Sequence, residues 1–171
     1  MSTTRRFSPL DLLKFNNINL DSYTETYQTA YYFQYMCTWP DLLWVVEGPS
    51  QELQGYMIGK IEGEGELWHG HVTALTVAPD YRKLGLGRKL MDALERASDA
   101  KGGYFVDLFV RASNANAIKM YEILKYKVYR RVLSYYQGEK GRSEDAFDMR
   151  KSLSKDPLKK SMIPLPKPIR V

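Results

Sequence analysis

The feature that most constrains the fold is a strand that runs through a glycine-containing turn directly into a helix. Residues 71–79, HVTALTVAP, are apolar on both faces, which is typical of a strand that is covered on both sides. Gly85 and Gly87 follow, and the apolar spacing after them predicts an amphipathic helix to about Ala100. A strand–turn–helix joint of this kind indicates a sheet with helices packed on it.

The glycine turn has the properties of an anion-binding site. Gly85 and Gly87 lack a Cβ, so a ligand can approach their backbone closely. The first amides of a helix have no acceptor within the helix and lie at the positive end of its dipole. A plain turn is the structural alternative, and the sequence lacks the spacing of a dinucleotide fingerprint or a P-loop. A pyrophosphate fits the turn, with candidate contacts Arg82, Lys83, Leu84, Gly85, Leu86, Gly87 and Arg88.

The other elements predict an α/β (α+β) domain with one mixed sheet. Alternating apolar residues and turn signals predict strands at 42–48, 53–63, 71–79, 104–110, 128–137 and 145–153. Besides the helix that follows the glycine turn, capping residues and apolar spacing predict helices at 8–20, 24–38 and 113–126. We assign residues 1–153 to one domain. Residues 154–171 contain four prolines and no periodicity, which predicts an extended basic tail.

Composition excludes several classes of protein. The only cysteine, Cys37, rules out an internal disulfide or a Cys-based zinc site and suits a reducing compartment; we interpret it as a small buried hydrophobe. We expect no membrane span and no secretory signal, since the apolar runs are short. From Arg150 onward the chain holds seven of its 25 basic and one of its 20 acidic residues, so the body is nearly neutral. The tail is either solvated or contacts an acidic surface, and the body does not resemble a nucleic-acid-binding domain.

Two motifs in the expected order resemble those of a known superfamily. RKLGLG (82–87) after a buried strand resembles the acetyl-CoA-binding motif of the GCN5-related N-acetyltransferase (GNAT) superfamily. The stretch 113–121 resembles its second signature, with matches at Asn114, Ala117 and Tyr121. The resemblance implies the GNAT fold, a mixed and mostly antiparallel sheet of about seven strands flanked by about four helices. It also implies acetyl-CoA as cosubstrate and no metal.

A closer resemblance extends from about Phe7 to Arg170. Stretches such as FNNINLDSYTETY (15–27) and FVDLFVRASN (105–114) are similar to catalytic subunits of N-terminal acetyltransferase B (NatB). This implies a cytoplasmic enzyme that acetylates nascent N-termini beginning Met-Asp, Met-Glu, Met-Asn or Met-Gln. It also implies a large helical-repeat auxiliary subunit that forms a heterodimer and contacts the ribosome. The alternatives are a GNAT enzyme with another amine substrate, or an adaptor that only binds acyl-CoA.

Two residues are candidates for the acetyl-transfer chemistry. His71 opens the buried strand and titrates in the right range for a base, although a structural role at the strand end is an equal alternative. His69 lies further outside that strand and is a weaker candidate. The resemblance places Tyr121 near the sulfur of CoA, where it protonates or positions the leaving group. Sister enzymes carry a histidine base on the strand before the second motif, where this chain has Phe109.

The resemblance also assigns the remaining contacts. Backbone groups of Leu75, Thr76 and Val77 would bind the pantetheine arm, and Asn114 would bind the cofactor or cap its helix. One wall of the peptide groove would be the turn that carries Glu25 and Tyr27, and the other would carry Tyr135 and Tyr136, one of which should face outward. Thr73 completes the substrate contacts. The surfaces expected to meet the auxiliary subunit are the tail and the early aromatic residues Phe15, Tyr31, Tyr32, Phe33 and Tyr35.

Overall fold

The computed structural model describes residues 2–19, 23–137 and 143–170. Within these ranges one mixed sheet has eight strands in the order β1-β2-β3-β4-β5-β7-β6-β8. The pairs β4/β5 and β6/β8 are parallel, and the others are antiparallel. The strands are β1 Thr3–Arg6, β2 Leu43–Glu47, β3 Leu53–Glu62, β4 His69–Val77, β5 Phe105–Arg111, β6 Lys127–Gln137, β7 Ser143–Ser152 and β8 Ile169–Arg170.

Three α-helices and one nine-residue 3-10 helix flank the sheet, so the predicted α/β class is confirmed. The α-helices are α1 Thr29–Thr38, α2 Leu86–Ala100 and α3 Ala115–Ile123. The first predicted helix is the 3-10 helix, Pro9–Asn17, where the Asp11 carboxylate accepts a bond of 2.8 Å from the Ser8 amide. Helix α1 begins five residues later than predicted, which leaves Glu25 and Tyr27 in the preceding loop.

The sheet buries a separate apolar cluster on each face. Helices α2 and α3 cover one face, where Leu90, Leu94 and Tyr121 pack against Val72 and Val106 of the sheet. The 3-10 helix and α1 cover part of the other face, with a core of Phe15, Ile18, Tyr32, Tyr35, Val45, Tyr56 and Ile58. On β5, alternation sends Val106 and Leu108 to the first face, so Asp107 and Phe109 lie on the second.

The chain beyond β7 is more ordered than the sequence indicates. The Asp156 carboxylate accepts bonds from the amides of Lys160 and Ser161, both at 2.9 Å, and a short 3-10 helix follows at Lys160–Met162. Strand β8 then pairs with β6 at Val132 and Leu133. Strands β1 and β8 were missed by the sequence prediction because four and two residues are too few to show a period of two. No helix in the described part of the chain is both long and apolar enough to cross a bilayer.

Candidate active site

The centre of the sheet opens between β4 and β5. These strands pair only over residues 69–72 and 105–108, although β4 continues to Val77 and β5 to Arg111. The β3/β4 register shifts at the point of divergence, where Ile58 pairs with Ala74 and Gly59 with Val72, so Thr73 is an extra residue on β4. An irregularity of this kind bends the strand that carries it. Within the described ranges no strand pairs with residues 73–77 on the side of β5. Their backbone groups, including those of Leu75, Thr76 and Val77, can bind an extended amide-containing arm.

The start of α2 lies directly beyond this open edge. Gly85 is the N-cap of the helix and has a φ of 78°, a left-handed conformation that glycine adopts without strain. The amides of Leu86, Gly87 and Arg88 then have no acceptor within the helix and lie at its positive end. A Cβ on Gly87 would lie 3.3 Å from Sδ of Met120, so a larger side chain would fill this space. This arrangement suits a pyrophosphate.

The side chains of the glycine turn contribute less than its backbone. Arg82 donates from Nε to the carbonyl of Val77 at 3.1 Å, which ties the turn to the end of β4. Lys83 and Arg88 are exposed beside the helix terminus, where they add positive charge. Leu84 is also exposed, whereas Leu86 is buried in the core against α3, so it offers a ligand only its amide.

Helix α3 brings the second motif to the same opening. Asn114 caps the helix, with Oδ1 accepting from the amide of Ala117 at 3.2 Å, so its side-chain NH₂ group is left to bind a ligand. Tyr121 is buried beside Tyr126, with ring centroids 5.9 Å apart. Burial raises the pKa of the Tyr121 phenol, which therefore stays protonated and can donate a hydrogen bond at neutral pH.

On the other face of the sheet His71 is held by a carboxylate that the sequence analysis did not select. Nδ1 of His71 lies 2.8 Å from Oδ1 of Asp107 on β5; Asp107 is buried and His71 is partly buried. Burial raises the pKa of Asp107, but the bond from His71 and the charges of His71, His69 and Arg150 outweigh it, so the net pKa is lowered. The sequence did contain a sign that Asp107 is a functional residue, because it is the single acidic residue within the apolar run YFVDLFV (104–110).

A cluster of phenols lies next to His71. Thr73 Oγ1 donates to the hydroxyl of Tyr35 at 3.1 Å, and the Tyr31 hydroxyl donates to the same oxygen at 3.0 Å. Tyr27 stacks on Tyr31 with centroids 4.4 Å apart. Burial, followed by the charge of Glu25, raises the pKa of Tyr27 to about 12. Tyr31 and Tyr35 were expected at a partner surface, but they connect Tyr27 to Thr73.

Tyr135 and Tyr136 do not follow the expected alternation. Strand β6 is irregular between Val132 and Tyr136, and Ser134 has a φ of 54°. Tyr135 stacks on Phe109 at 4.8 Å, while the Tyr136 hydroxyl donates to the Phe109 carbonyl at 3.0 Å. Both tyrosines therefore reach the same strand. The connection between the predicted strands 128–137 and 145–153 lies mostly outside the described residues, which resume at 143.

Arg111 connects the two predicted walls of the peptide groove. Its Nη2 donates to Glu25 at 2.7 Å, its Nη1 donates to Glu144 at 3.2 Å, and its guanidinium lies 4.2 Å from the ring centroid of Tyr136. The charge of Glu25, a predicted wall residue of the groove, is compensated by Arg111. Cys37 was expected to be buried and is exposed.

Three side chains, His71 among them, resemble a metal-binding set. Glu62, His69 and His71 each place a potential ligand atom within 4.8 Å of the others. Protein groups already satisfy this cluster, because Lys60 donates to Glu62 at 2.7 Å and Asp107 accepts from His71. An ammonium group beside the carboxylate opposes cation binding.

Comparison with known proteins agrees with this geometry. The model of the acetyltransferase (GNAT) family matches residues 12–126. The chain therefore belongs to the GNAT family of acetyltransferases, and it is an enzyme that uses acetyl-CoA as cosubstrate. The open edge of β4 and the start of α2 are suited to that cosubstrate.

Several relatives that match over most of their length are catalytic subunits of NatB. The chain is 58% identical to the N-terminal acetyltransferase B complex catalytic subunit NAA20 of Arabidopsis thaliana, over 99% of this chain and 95% of that protein. It is 53% identical to the corresponding subunit naa20 of Schizosaccharomyces pombe, over 91% and 88%. The crystal structure of Chaetomium thermophilum Naa20 in complex with a bisubstrate analogue has a TM-score of 0.91 at 42% identity, covering 98% of this chain and 96% of that one.

Proposed function

We propose that this protein is the catalytic subunit of a NatB complex. It transfers the acetyl group of acetyl-CoA to the α-amino group of proteins beginning Met-Asp, Met-Glu, Met-Asn or Met-Gln. The observation that carries the proposal is a groove of phenols and His71 beside the open edge of β4. The loop before α1 supplies Tyr27, and β6 supplies Tyr135 and Tyr136. Close NatB relatives support the assignment.

The chain's own groups account for the proton transfers. An α-amino group has a pKa of about 7.7–8, so a modest base is enough to neutralise it. His71 takes that proton through Nε2, because Nδ1 is engaged by Asp107. Tyr121, kept protonated by burial, donates to the departing sulfur or orients it. Acetyl-CoA supplies an activated thioester, so no enzyme nucleophile is needed, and exposed Cys37 has no assigned role.

The groove is suited to an acidic or amide side chain at the second position. Its phenols are hydrogen-bond donors at neutral pH, since burial raises the pKa of Tyr27, Tyr135 and Tyr136. Phenols bind carboxylates and amides alike, which matches a substrate class that includes both Asp and Asn.

The exposed apolar residues provide a surface for the auxiliary subunit. Of the five early aromatic residues, Phe15, Tyr32 and Tyr35 are buried and cannot serve this purpose. Leu10 and Leu13 on the 3-10 helix are 69% and 79% exposed. We place the partner on that helix and the exposed side of α1, including Phe33, with the basic tail as a second contact. In this proposal the enzyme is cytoplasmic and reaches ribosomes through the partner.

Acetylation of a peptide panel tests the proposal. The peptides begin Met-Asp, Met-Asn, Met-Leu, Ser-Glu and Met-Lys, and labelled acetyl-CoA is the donor, with and without the co-expressed auxiliary subunit. We expect selective labelling of Met-Asp and Met-Asn. Equal labelling of all peptides, or labelling of lysine side chains, would retain the fold and cosubstrate but refute the substrate assignment. A blocked α-amine on the Met-Asp peptide is the matched negative control.

A further inference from the structure

One buried carboxylate lies between the only two histidines of the chain. Asp107 is 5% exposed and pairs in register with His71 on the parallel neighbouring strand. Its Oδ1 is 2.8 Å from Nδ1 of His71, and its Oδ2 is 3.4 Å from Nε2 of His69. His69 stacks on Phe105 at 4.6 Å, and its Nδ1 lies 2.6 Å from the Leu67 carbonyl. Each oxygen of the Asp107 carboxylate therefore contacts one histidine, and the side chain is held in place between them.

This contact determines which nitrogen of His71 can act as a base. A carboxylate only accepts, so the short contact places the proton of neutral His71 on Nδ1. The lone pair is then on Nε2. The same carboxylate stabilises the imidazolium that forms when Nε2 takes a proton, as an aspartate does for the histidine of a catalytic triad. Low solvent exposure of both side chains strengthens this interaction.

No other described acidic group competes for this position. The charged or titratable groups that face His71 come from six elements. Glu62 and Asp148 are the other acids among them; Glu62 is paired with Lys60 at 2.7 Å and Asp148 with Arg150 at 3.2 Å. The groups around the His71–Asp107 pair are His69 on β4, Lys60 and Glu62 on β3, Asp107 on β5, Tyr35 on α1, Tyr135 on β6, and Asp148 and Arg150 on β7.

We propose that Asp107 is a positioning residue that fixes His71 in the Nδ1–H tautomer and aims Nε2 at the peptide amine. The inference rests on the proposed function, in which His71 is the base. In the reaction one proton of the substrate ammonium moves to Nε2, the amine nitrogen forms a bond to the acetyl carbon, and the C–S bond breaks. Asp107 stays ionised throughout. The proton on Nε2 leaves to solvent. The nitrogen loses its second proton to water as the amide forms, and the thiolate takes a proton from water or from Tyr121, which water then reprotonates.

Nitrogen NMR of the unaltered protein tests the tautomer directly. The protein is labelled with ¹⁵N-histidine and purified with its unlabelled auxiliary subunit, so only two imidazoles report, and His69→Gln assigns them. We expect protonated Nδ1 and unprotonated Nε2 for His71 at pH 8. The opposite tautomer for His71 would overturn the inference. This measurement needs no variant of Asp107, so a failure of such a variant to fold does not affect it.

Kinetics of Asp107→Asn provide the second test. The substitution keeps the side-chain volume but replaces the charge with an amide. We expect kcat/KM to fall about 10- to 100-fold and the acidic limb of the pH–rate profile to move to lower pH, because the imidazolium loses its stabilising charge. Asp107→Glu, which keeps the carboxylate, is expected to recover part of the rate and return the limb toward its original position.

Asp148→Asn is the matched control. Asp148 is a fully buried carboxylate on β7 that pairs with Arg150 and Arg130, both at 3.2 Å. Its replacement is expected to lower the melting temperature and leave the acidic limb unmoved. An unmoved limb in Asp107→Asn as well would overturn the positioning role. If His71→Asn kept the rate and the acidic limb of the unaltered enzyme, His71 would not be the base and that part of the proposed function would fail. This outcome is distinguishable from a failure of the positioning role of Asp107 alone.

Discussion

The proposed cosubstrate half and the proposed peptide half of the active site are built from different parts of the chain. The cosubstrate half consists mainly of backbone, at residues 73–77 on β4 and 86–88 at the start of α2. These segments are adjacent in sequence and connected by one turn. The peptide half consists of side chains from the loop before α1, from β4 and β5, and from β6.

This difference predicts two kinds of sensitivity to mutation. Backbone groups cannot be deleted by substitution, so the cosubstrate half fails only when a side chain obstructs it or its left-handed glycine is strained. Side-chain groups can be removed one at a time, and the effect depends on how many neighbours replace the lost contact. Damage to the cosubstrate half should therefore abolish binding, and damage to the peptide half should reduce turnover or affinity in graded steps.

The largest expected effect comes from Gly87→Trp. An indole in the first turn of α2 would occupy the space in front of the free amides, where even a Cβ lies 3.3 Å from Met120. We expect acetyl-CoA affinity to fall more than about 100-fold, as measured by calorimetry, because the pyrophosphate loses several hydrogen bonds to backbone amides. Circular dichroism should show that the fold is retained.

Gly65→Trp is the control for this substitution. Gly65 has a positive φ of 56° in the turn before β4, and a Cβ there would meet nothing within 4 Å. We expect a loss of stability with unchanged acetyl-CoA affinity. If Gly87→Trp also bound acetyl-CoA normally, the start of α2 would not be the pyrophosphate site.

Tyr121→Phe should reduce turnover without affecting cosubstrate binding. Removing the hydroxyl leaves the ring packed against Tyr126 but removes the proposed donor to the leaving sulfur. We expect kcat to fall about tenfold, at the low end for a general acid, because a thiolate is a stable leaving group. Steady-state kinetics with a Met-Asp peptide measure this.

Tyr126→Phe is the matched variant for Tyr121→Phe. Tyr126 is an equally buried phenol nearby, whose hydroxyl donates to Glu95 at 3.0 Å. Its loss should lower stability and leave kcat unchanged. Equal kcat values for the two variants would contradict a chemical role for the Tyr121 hydroxyl.

A smaller effect is expected from Arg111→Met. The change removes the bridge between Glu25 and Glu144 but keeps most of the side-chain volume. We expect KM for the peptide to rise about three- to tenfold with kcat nearly unchanged, since partly exposed ion pairs contribute little each. Arg131→Met, which breaks the pair between Arg131 on β6 and Asp145 on β7, should leave KM unaltered. A lower kcat with constant KM would place Arg111 in the chemistry instead.

The smallest expected effect is a difference in how stability depends on pH when each of two buried carboxylates, Asp107 and Asp148, is replaced. The pKa of Asp107 is lowered, so its contribution to stability is present above the ordinary value near 3.8 and is lost as the pH falls below it. Burial raises the pKa of Asp148 despite Arg150, so ionisation destabilises the fold as the pH rises past 3.8. Denaturant unfolding from pH 6 to pH 3 gives the free energy of unfolding of each variant minus that of the unaltered protein. This difference should change with pH in opposite directions for Asp107→Asn and Asp148→Asn. Equal slopes would refute the assignment.

The same contrast explains what could be predicted from the sequence. The cosubstrate half is local: Gly85, Gly87 and the helix that follows are adjacent in the chain, and the helix ends at Ala100 as predicted. The peptide half depends on distant pairings, so no spacing along the chain indicated that Asp107 meets His71 or that Arg111 meets Glu25. The irregularity at Ser134 was equally hidden, because a positive φ at serine has no sequence signature.

The short strand β8 also affects how this protein behaves among other chains. An uncovered strand edge is a template that any extended segment can pair with. Strand β6 is eleven residues long, and the tail covers part of its outer edge through the pairing of Val132 and Leu133 with β8 and the bond of 2.7 Å from the Leu165 amide to Tyr129. Release of the tail would expose that edge directly beside the tyrosines of the peptide groove. The segment therefore covers part of an edge through which copies of the chain could otherwise pair.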